Sequence, residues 1–160
     1  PLLQAAAERQ LGIFLIGSPA ASTIEHTAST LVTTIPGLRI AGTQNGAATA
    51  PDGSLSAGWL DATATTIRSS KPDLILVGLG FPLQERVMAA LQPHLAHGVM
   101  IGEGGTFDYE QFGGRRPKAP VAFQRLGLEW LWRLMLEPSR YRRQLAIPRF
   151  IWRVWRWRDH

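Results

Sequence analysis

A short stretch near the middle of the chain combines the residue types that proteins use to hold phosphate groups. Leu74–Val77 is a continuous apolar run of strand length, and Gly78-Leu79-Gly80 follows it directly. Pro82 then stands where a helix can begin, with Gln84 and Glu85 in the predicted first turn. A buried strand, a glycine turn and a helix amino terminus together expose free backbone N–H groups and the positive end of the helix dipole. The stretch therefore predicts a site for a phosphorylated ligand at the carboxyl edge of a sheet.

The elements that must position this site alternate along the chain. Apolar runs of strand length are each followed by a segment with helical periodicity, and a long polar loop occupies residues 42–58. This alternation is typical of right-handed βαβ units, so we predict an α/β fold with a Rossmann-like parallel sheet and flanking helices. The predicted strands are 12–16, 38–41, 74–77 and 99–101, and the predicted helices are 20–35, 59–70 and 85–95.

The net charge of +5 is unevenly distributed along the chain. Residues 1–114 carry five Lys/Arg and nine Asp/Glu, whereas residues 115–160 carry twelve Lys/Arg and three Asp/Glu. Five of the six tryptophans also lie in residues 115–160. We therefore expect two parts with different partners, an α/β domain over residues 1–120 and a basic, Trp-rich helical appendage over residues 121–160.

The appendage is predicted to contain two helices with different surfaces. Residues 121–137 form a helix that is apolar nearly all round, which predicts cover by more than the domain itself, either a second copy in a homo-oligomer or a segment outside this chain. The last helix, which opens at Pro148, is basic, rich in tryptophan and amphipathic, as is typical of helices that bind an anionic membrane surface. Its apolar side collects Phe150, Ile151, Val154, Trp155 and Trp157, and its basic side collects Arg149, Arg153 and Arg156.

The composition excludes several kinds of site. There is no cysteine, so neither a disulfide nor a thiolate nucleophile or metal ligand is available. The four histidines are scattered without metal-ligand spacing, and the sequence contains no Walker loop and no full dinucleotide fingerprint. No apolar run approaches the roughly 20 residues of a membrane-spanning helix. Leu2, Leu3 and Ala6 are typical of the end of a helix, which suggests that the chain is part of a longer protein.

The chain resembles the WecG/TagA/CpsF family of glycosyltransferases in several ordered motifs. They are VGLGFPLQE at 77–85, IGEGGTFD at 101–108, KAP at 118–120 and GLEWLWRLMLEPSRYRR at 127–143. The resemblance covers roughly residues 12–143. It implies transfer of a hexose or N-acetylmannosamine from a UDP-sugar to a polyprenyl-diphosphate-linked sugar, in the synthesis of bacterial cell-surface polysaccharide or teichoic acid.

The same resemblance has further implications for cofactors and location. It implies no metal and no cofactor, and a peripheral location on the cytoplasmic face of the bacterial plasma membrane. It also implies that the basic appendage contributes to the active site and contacts the membrane. The family's proposed catalytic aspartate lies in a segment that would precede Pro1, so we expect weak activity or none from this chain alone.

The resemblance assigns the donor site to residues of the matching motifs. Gln84 is expected at the catalytic centre, in contact with the donor diphosphate or sugar, whereas the residues alone favour a solvated residue of a helix-capping arrangement. Glu85 is expected to complete the helix start or bind a sugar hydroxyl. Asp108 is expected to hydrogen-bond uracil or ribose, and a turn aspartate is the equal alternative.

Further donor-site positions are loop residues. Thr43, Asn45 and Gly46 match a segment at the edge of the nucleotide pocket, although simple turn chemistry also explains them. Four glycines are expected to let a ligand approach the backbone closely, although tight turns alone would require them too. These glycines are Gly78, Gly80, Gly104 and Gly105.

The appendage arginines are the candidates for the acceptor. Arg133, Arg140 and Arg143 match arginines of the family, and a guanidinium can bind the lipid diphosphate bidentately. The alternative is that they are ordinary solvated arginines, with Arg133 paired to Glu129 one turn away. Arg149, Arg153 and Trp155 are expected to contact the membrane surface.

Two other functions remain open at this point. The first is a non-catalytic peripheral membrane module that binds a nucleotide-sugar or lipid diphosphate and organises a polysaccharide assembly complex. The second is nucleic-acid binding by the Arg/Trp tail, because basic surfaces with aromatic residues also stack bases. We favour no nucleic-acid partner, because the bulky aliphatic residues between the arginines suit lipid better than a phosphodiester backbone.

Overall fold

The computed structural model describes residues 2–17, 23–47, 49, 53–114, 116–138, 141 and 146–157. The chain divides into two compact units, Pro1–Pro117 and Lys118–His160, which we call unit 1 and unit 2. Unit 1 contains the parallel sheet, and the described part of unit 2 is helical.

Helices and strands alternate through unit 1, as the hydrophobic pattern predicts. Short 3-10 turns also occur at Gln92–His94, Thr106–Asp108 and Glu110–Phe112. The elements in chain order are α1 (Leu2–Glu8), β1 (Gly12–Gly17), α2 (Ile24–Thr34), β2 (Arg39–Asn45), α3 (Ala57–Ser70), β3 (Leu74–Gly78), α4 (Leu83–Leu91) and β4 (Val99–Gly102).

The four strands form one parallel sheet in the order β2-β1-β3-β4. The predicted α/β class with a Rossmann-like parallel sheet is therefore confirmed. Every residue of β1 is buried, because this strand has neighbours on both edges and helices on both faces. The chain runs outward from β1 to β2 and returns to β3 on the other side, so the strand order reverses between β1 and β3. Ligands of open α/β sheets bind at the carboxyl end of such a reversal point.

The core of unit 1 consists of two apolar layers, one on each face of the sheet. Successive side chains of a strand point to opposite faces, so Ile13 and Leu15 enter one layer while Phe14 and Ile16 enter the other. Helices α1 and α2 cover the first layer, and α3 and α4 cover the second. The sheet is thus held rigidly from both sides, which positions the loops at its carboxyl edge.

Strand β2 is longer than the sequence predicts. The pattern indicates a strand over 38–41 and a polar loop from residue 42 onward, but β2 runs from Arg39 to Asn45. Thr43, Gln44 and Asn45 pair with Leu15, Ile16 and Gly17 of the buried strand β1. The prediction was wrong because backbone pairing to a buried neighbour outweighs the low strand propensity of Gly42 and Asn45.

Helix α4 carries Gln84 and Glu85 in its first turn, which confirms the predicted helix start. Its bounds differ from the predicted range of 85–95 at both ends. Pro82 is the residue that caps the helix rather than its first helical residue, and the Phe81–Pro82 peptide bond is cis. The α-helix ends at Leu91, and a 3-10 turn containing Pro93 follows, because proline has no backbone N–H for the next helical hydrogen bond.

Unit 2 contains α5 (Val121–Arg125), α6 (Glu129–Leu136) and α7 (Ala146–Trp157). The predicted single helix over 121–137 was wrong, because the chain turns at Gly127, whose φ of 67° is left-handed. The N–H of Gly127 donates to Gln124 O at 3.2 Å and that of Leu128 donates to Phe123 O at 2.8 Å, which is the pairing that terminates helices at a glycine. Across the described ranges, every helix is too short or too polar to cross a membrane.

Candidate functional site

The carboxyl ends of β1 and β3 lie side by side, and both end in glycine. Gly17 and Gly78 are paired in the sheet, and the ring of Phe107 packs against both of them. A Cβ atom at Gly17 would lie 2.8 Å from Phe107 Cδ2, and a Cβ atom at Gly78 would meet the same ring atom more closely. Phe107 is 3% exposed, so this ring closes the apolar core beneath the loops. Gly78 therefore has a packing role, and its place in the donor site stays a prediction.

Two other predicted glycines border open space. Gly80 and Gly104 have left-handed φ values of 74° and 60°, and an added Cβ atom at either position would have no neighbour within 4 Å. Gly80 follows β3 and Gly104 follows β4, so the two bare backbones lie at the carboxyl ends of neighbouring strands. Gly105 precedes the Thr106–Asp108 turn with an ordinary φ of −97°. The arrangement leaves room for a ligand against the backbone of both loops.

The side chain of Gln84 joins these two loops. Its Oε1 accepts a hydrogen bond from the backbone N–H of Gly104 at 2.8 Å, and its Nε2 donates to Glu85 Oε1 at 2.9 Å. The backbone N–H of Gln84 donates to Gly80 O at 2.9 Å, which anchors the start of α4 to the loop that follows β3. Gln84 thus spans the loops after β3 and β4, instead of capping its own helix.

The predicted residues at the end of β2 are tied to a carboxylate that the sequence analysis did not single out. Asn45 Oδ1 accepts from the backbone N–H of Ile24 at 3.1 Å, and its Nδ2 donates to both carboxylate oxygens of Glu25, at 3.0 and 2.8 Å. Thr43 Oγ1 lies 3.4 Å from Glu25 Oε1.

Gly46, the third predicted residue of this segment, is left-handed with φ of 58°, and its N–H donates to Gly17 O at 2.7 Å.

These hydrogen bonds lower the pKa of Glu25. The backbone N–H of Glu25 itself is the largest cause, with further hydrogen bonds from Asn45, Thr23 and Thr43, while partial burial opposes the shift. Thr23 caps α2, since its side chain accepts from the N–H of His26 at 3.3 Å. Glu25 is therefore ionised at neutral pH and lies on an exposed position of the first turn of α2. Its only signal in the sequence is an acidic residue soon after a predicted strand, which is common at helix starts.

Asp108 is paired with an arginine that the sequence analysis also missed. Asp108 Oδ2 lies 3.2 Å from Arg116 Nη1, and both side chains are largely shielded from solvent. The backbone N–H of Arg116 also donates to Asp108 O at 2.8 Å, and the guanidinium lies 5.9 Å from the centre of the Tyr109 ring. Asp108 is thus joined to Arg116 through both its side chain and its backbone. Its predicted contact with uracil or ribose stays a prediction.

The predicted acceptor residues lie in unit 2. Arg133 lies on α6 and is half-buried. It follows Trp132 in sequence, whose ring makes a tilted contact with that of Phe123 at a centroid distance of 5.6 Å. On α7, Arg153 and Trp155 are exposed. Arg140 and Arg143 lie outside the described residues, and the side chain of Arg149 is likewise outside them.

The exposed surface of α7 carries both tryptophan and arginine. Trp152, Trp155 and Trp157 are 55%, 67% and 87% exposed, far more than is usual for tryptophan. The guanidinium of Arg156 lies 5.2 Å from the Trp152 ring, a cation–π contact. Unit 2 therefore presents an aromatic and basic helix to its surroundings.

Comparison with known proteins identifies relatives along the whole chain. Residues 1–160 match the model of the glycosyl transferase WecG/TagA/CpsF family. Two similar proteins are named N-acetylglucosaminyldiphosphoundecaprenol N-acetyl-beta-D-mannosaminyltransferase, from Bacillus spizizenii and Bacillus subtilis. They are 33% and 34% identical over 94% and 93% of this chain. A protein of the same name from Staphylococcus aureus is 35% identical over 61% of this chain and 39% of its own length. The chain spans 54% of the length of each Bacillus relative.

Proposed function

This chain belongs to the WecG/TagA/CpsF glycosyltransferase family, and we propose that it forms the donor-binding part of an enzyme that uses a UDP-sugar. The transferred group is a hexose or N-acetylmannosamine, and the acceptor is a sugar linked to a polyprenyl diphosphate. The names of the Bacillus relatives support N-acetylmannosamine as the transferred group and a polyprenyl-diphosphate-linked sugar as the acceptor. The product serves the synthesis of a bacterial cell-surface polysaccharide or teichoic acid.

One observation carries the proposal for unit 1, namely the link from Gln84 to Gly104 between two open glycine loops. The donor diphosphate lies against the backbone of Gly80 and the start of α4, where the positive end of the helix dipole favours negative charge. The Glu85 carboxylate accepts a hydrogen bond from Gln84, which holds it beside the side chain that joins the two loops. Gly105 and Asp108 line the same edge from the loop after β4.

The reaction follows from this donor placement. The acceptor hydroxyl attacks the anomeric carbon of the donor sugar with inversion, a new C–O bond forms, and the bond from that carbon to the diphosphate of UDP breaks. Oriented backbone N–H groups stabilise the charge that develops on the departing UDP. The hydroxyl proton passes to a general base, and we assign no residue of this chain to that role.

Unit 2 is proposed to serve the lipid side of the reaction. Arg133, Arg140 and Arg143 bind phosphate groups of the lipid diphosphate, for which guanidinium groups are suited in charge and geometry. Arg149, Arg153 and Trp155 hold α7 in the headgroup layer of an anionic membrane. We accordingly propose a peripheral location on the cytoplasmic face of the plasma membrane.

The test has a binding arm and a turnover arm. Calorimetry measures binding of UDP to this chain, with ADP as the control nucleotide, and the expected result is binding of UDP only. Turnover is measured on the full product of the gene, with UDP-N-acetylmannosamine or UDP-glucose and a polyprenyl-diphosphate-linked sugar. Binding of UDP without turnover of any UDP-sugar would favour the non-catalytic membrane module instead. Absence of UDP binding would contradict the donor site.

A further inference from the structure

The carboxylate of Glu25 lies at the end of β2, although the last residues of that strand, 43–45, have only hydroxyl and amide side chains. Asn45 is paired with Gly17 in the sheet, so the end of β2 adjoins the end of β1. Glu25 reaches this place from α2, and Asn45 and Thr43 hold it there. The carboxylate therefore lies one strand from the reversal point between β1 and β3.

We propose that Glu25 binds the vicinal hydroxyl groups of the donor nucleotide's ribose, and that Asn45 and Thr43 are positioning residues for it. This inference rests on the proposed UDP-sugar site. In the parallel sheets that bind dinucleotides, an acidic residue after the second strand accepts a hydrogen bond from a ribose hydroxyl, and we extend this rule to the donor nucleotide here. Here the second strand ends in Asn45, and Glu25 supplies the acid from the neighbouring helix.

The hydrogen bonds of Asn45 determine how the carboxylate is presented. Its Oδ1 must face the backbone N–H of Ile24, which can only donate, so its Nδ2 must face Glu25. Both carboxylate oxygens are oriented by this amide, yet each has lone pairs left for a further donor. An ionised carboxylate accepts only, and two neighbouring hydroxyls are a matching pair of donors.

The position of Glu25 in the sheet favours ribose over the transferred sugar. Gly80, Gln84 and Gly104 lie at the ends of β3 and β4, whereas Glu25 lies at the ends of β1 and β2. Two strand spacings, about 10 Å, separate β3 from β2. A diphosphate held at the start of α4 therefore leaves the nucleoside to extend toward β2. A carboxylate repels an anionic diphosphate but accepts hydrogen bonds from hydroxyl groups. The ribose hydroxyls are therefore a suitable ligand for Glu25.

The experiment compares affinities for UDP and 2′-deoxy-UDP by calorimetry. The unchanged protein should bind UDP about tenfold more tightly than 2′-deoxy-UDP, as expected for loss of a hydrogen bond to a charged group. Glu25→Gln should lower the affinity for UDP by about tenfold and reduce the difference between the two nucleotides to less than about twofold. Glu8→Gln, the same substitution on the exposed end of α1, should leave both affinities unchanged.

Each other outcome has a defined meaning. If UDP binds but Glu25→Gln still discriminates against 2′-deoxy-UDP, the ribose contact is wrong while the donor site stands. If Glu25→Gln weakens binding of UDP-N-acetylmannosamine but not of UDP, the carboxylate binds the transferred sugar and the ribose assignment is overturned. If the unchanged protein binds no UDP, the proposed donor site fails as well. The comparison of nucleotides on the unchanged protein needs no variant, so it holds even if Glu25→Gln unfolds.

Discussion

At the scale of single residues, unit 1 uses polar side chains to connect loops that are far apart in sequence. Gln84 joins the loops after β3 and β4, and Asn45 joins the end of β2 to the start of α2. Each of these amides uses both its donor and its acceptor group. Such side chains orient the groups around a site, because a loop whose backbone is hydrogen-bonded has fewer conformations to lose on binding.

Replacement of Gln84 tests this role directly. Gln84→Leu leaves the Gly104 N–H without its acceptor and removes the link between the loops after β3 and β4. The affinity for UDP should therefore fall by about tenfold, the equivalent of about 1.4 kcal/mol. Calorimetry measures the affinity, and urea denaturation checks that the variant is folded. Gln4→Leu on the exposed side of α1 is the matched control and should bind UDP normally. Unchanged affinity in Gln84→Leu would remove Gln84 from the proposed site.

Glu25 predicts a pH dependence of stability. Its pKa is lower in the folded protein than in the unfolded chain, so its contribution to stability is fully present above the unfolded pKa and is lost as the pH falls through the folded pKa. Urea denaturation over a pH series should show a loss of stability on the acid side that is smaller in Glu25→Gln. If the free energy of unfolding falls equally with decreasing pH in the two proteins, the assigned hydrogen bonds of Glu25 are wrong.

At the scale of elements, the ring of Phe107 determines how the strand ends are shaped. It packs on Gly17 and Gly78 at the reversal point, and it belongs to the apolar layer under α1 and α2. The loop after β4 is thereby fixed to the ends of β1 and β3. The position of Gly104 and Asp108 follows from this contact, because both residues lie within three positions of the ring.

Removal of the ring should destabilise unit 1 strongly. Phe107→Ala leaves a cavity over two strand ends and should lower the free energy of unfolding by about 3–5 kcal/mol. Phe81→Ala is the matched control, since Phe81 is 74% exposed, and it should change the free energy by less than about 0.5 kcal/mol. Urea denaturation of both variants measures the difference. Equal effects of the two substitutions would show that Phe107 does not close the core.

At the scale of the whole molecule, charge and aromatic residues are separated along the chain. Residues 1–114 have an excess of acidic side chains, and residues 115–160 have an excess of basic ones. Within the described part of unit 2, α7 exposes its tryptophans and carries exposed arginines at positions 153 and 156. This separation is the basis for assigning a nucleotide-sugar to unit 1 and a lipid surface to unit 2.

The membrane role of α7 is tested with vesicles. The double substitution Arg153→Glu and Trp155→Ala should weaken binding to vesicles containing anionic lipid by more than about tenfold, since each basic residue near such a surface contributes about 1 kcal/mol. Co-sedimentation across a salt series measures the binding, and purely zwitterionic vesicles should bind both proteins weakly. Arg68→Glu on α3 is the control. Stronger binding to an oligonucleotide than to anionic vesicles would favour the nucleic-acid alternative.

The sequence by itself determined the class of fold, and it predicted a candidate site at the carboxyl edge of the sheet. Strand-length apolar runs that alternate with helical periods suffice for a parallel sheet, because burial on both faces demands such runs. The glycine turn after β3 and the start of α4 were also predictable, since glycine and proline restrict the backbone locally. The ordered motifs identified the family, which no single turn could have done.

Only the tertiary structure decided which polar groups meet. The length of β2 depends on its pairing with β1, which is distant in sequence. The contacts of Glu25 and Phe107 likewise join residues that are far apart in the chain. The turn at Gly127 depends on which of several local hydrogen-bonding patterns forms. Glu25 and Asn45 are 20 residues apart, and so are Gln84 and Gly104. Hydrophobic periodicity reports which side of an element is buried, but it carries no information on which hydrogen-bonding groups the assembled sheet brings within 3 Å of each other.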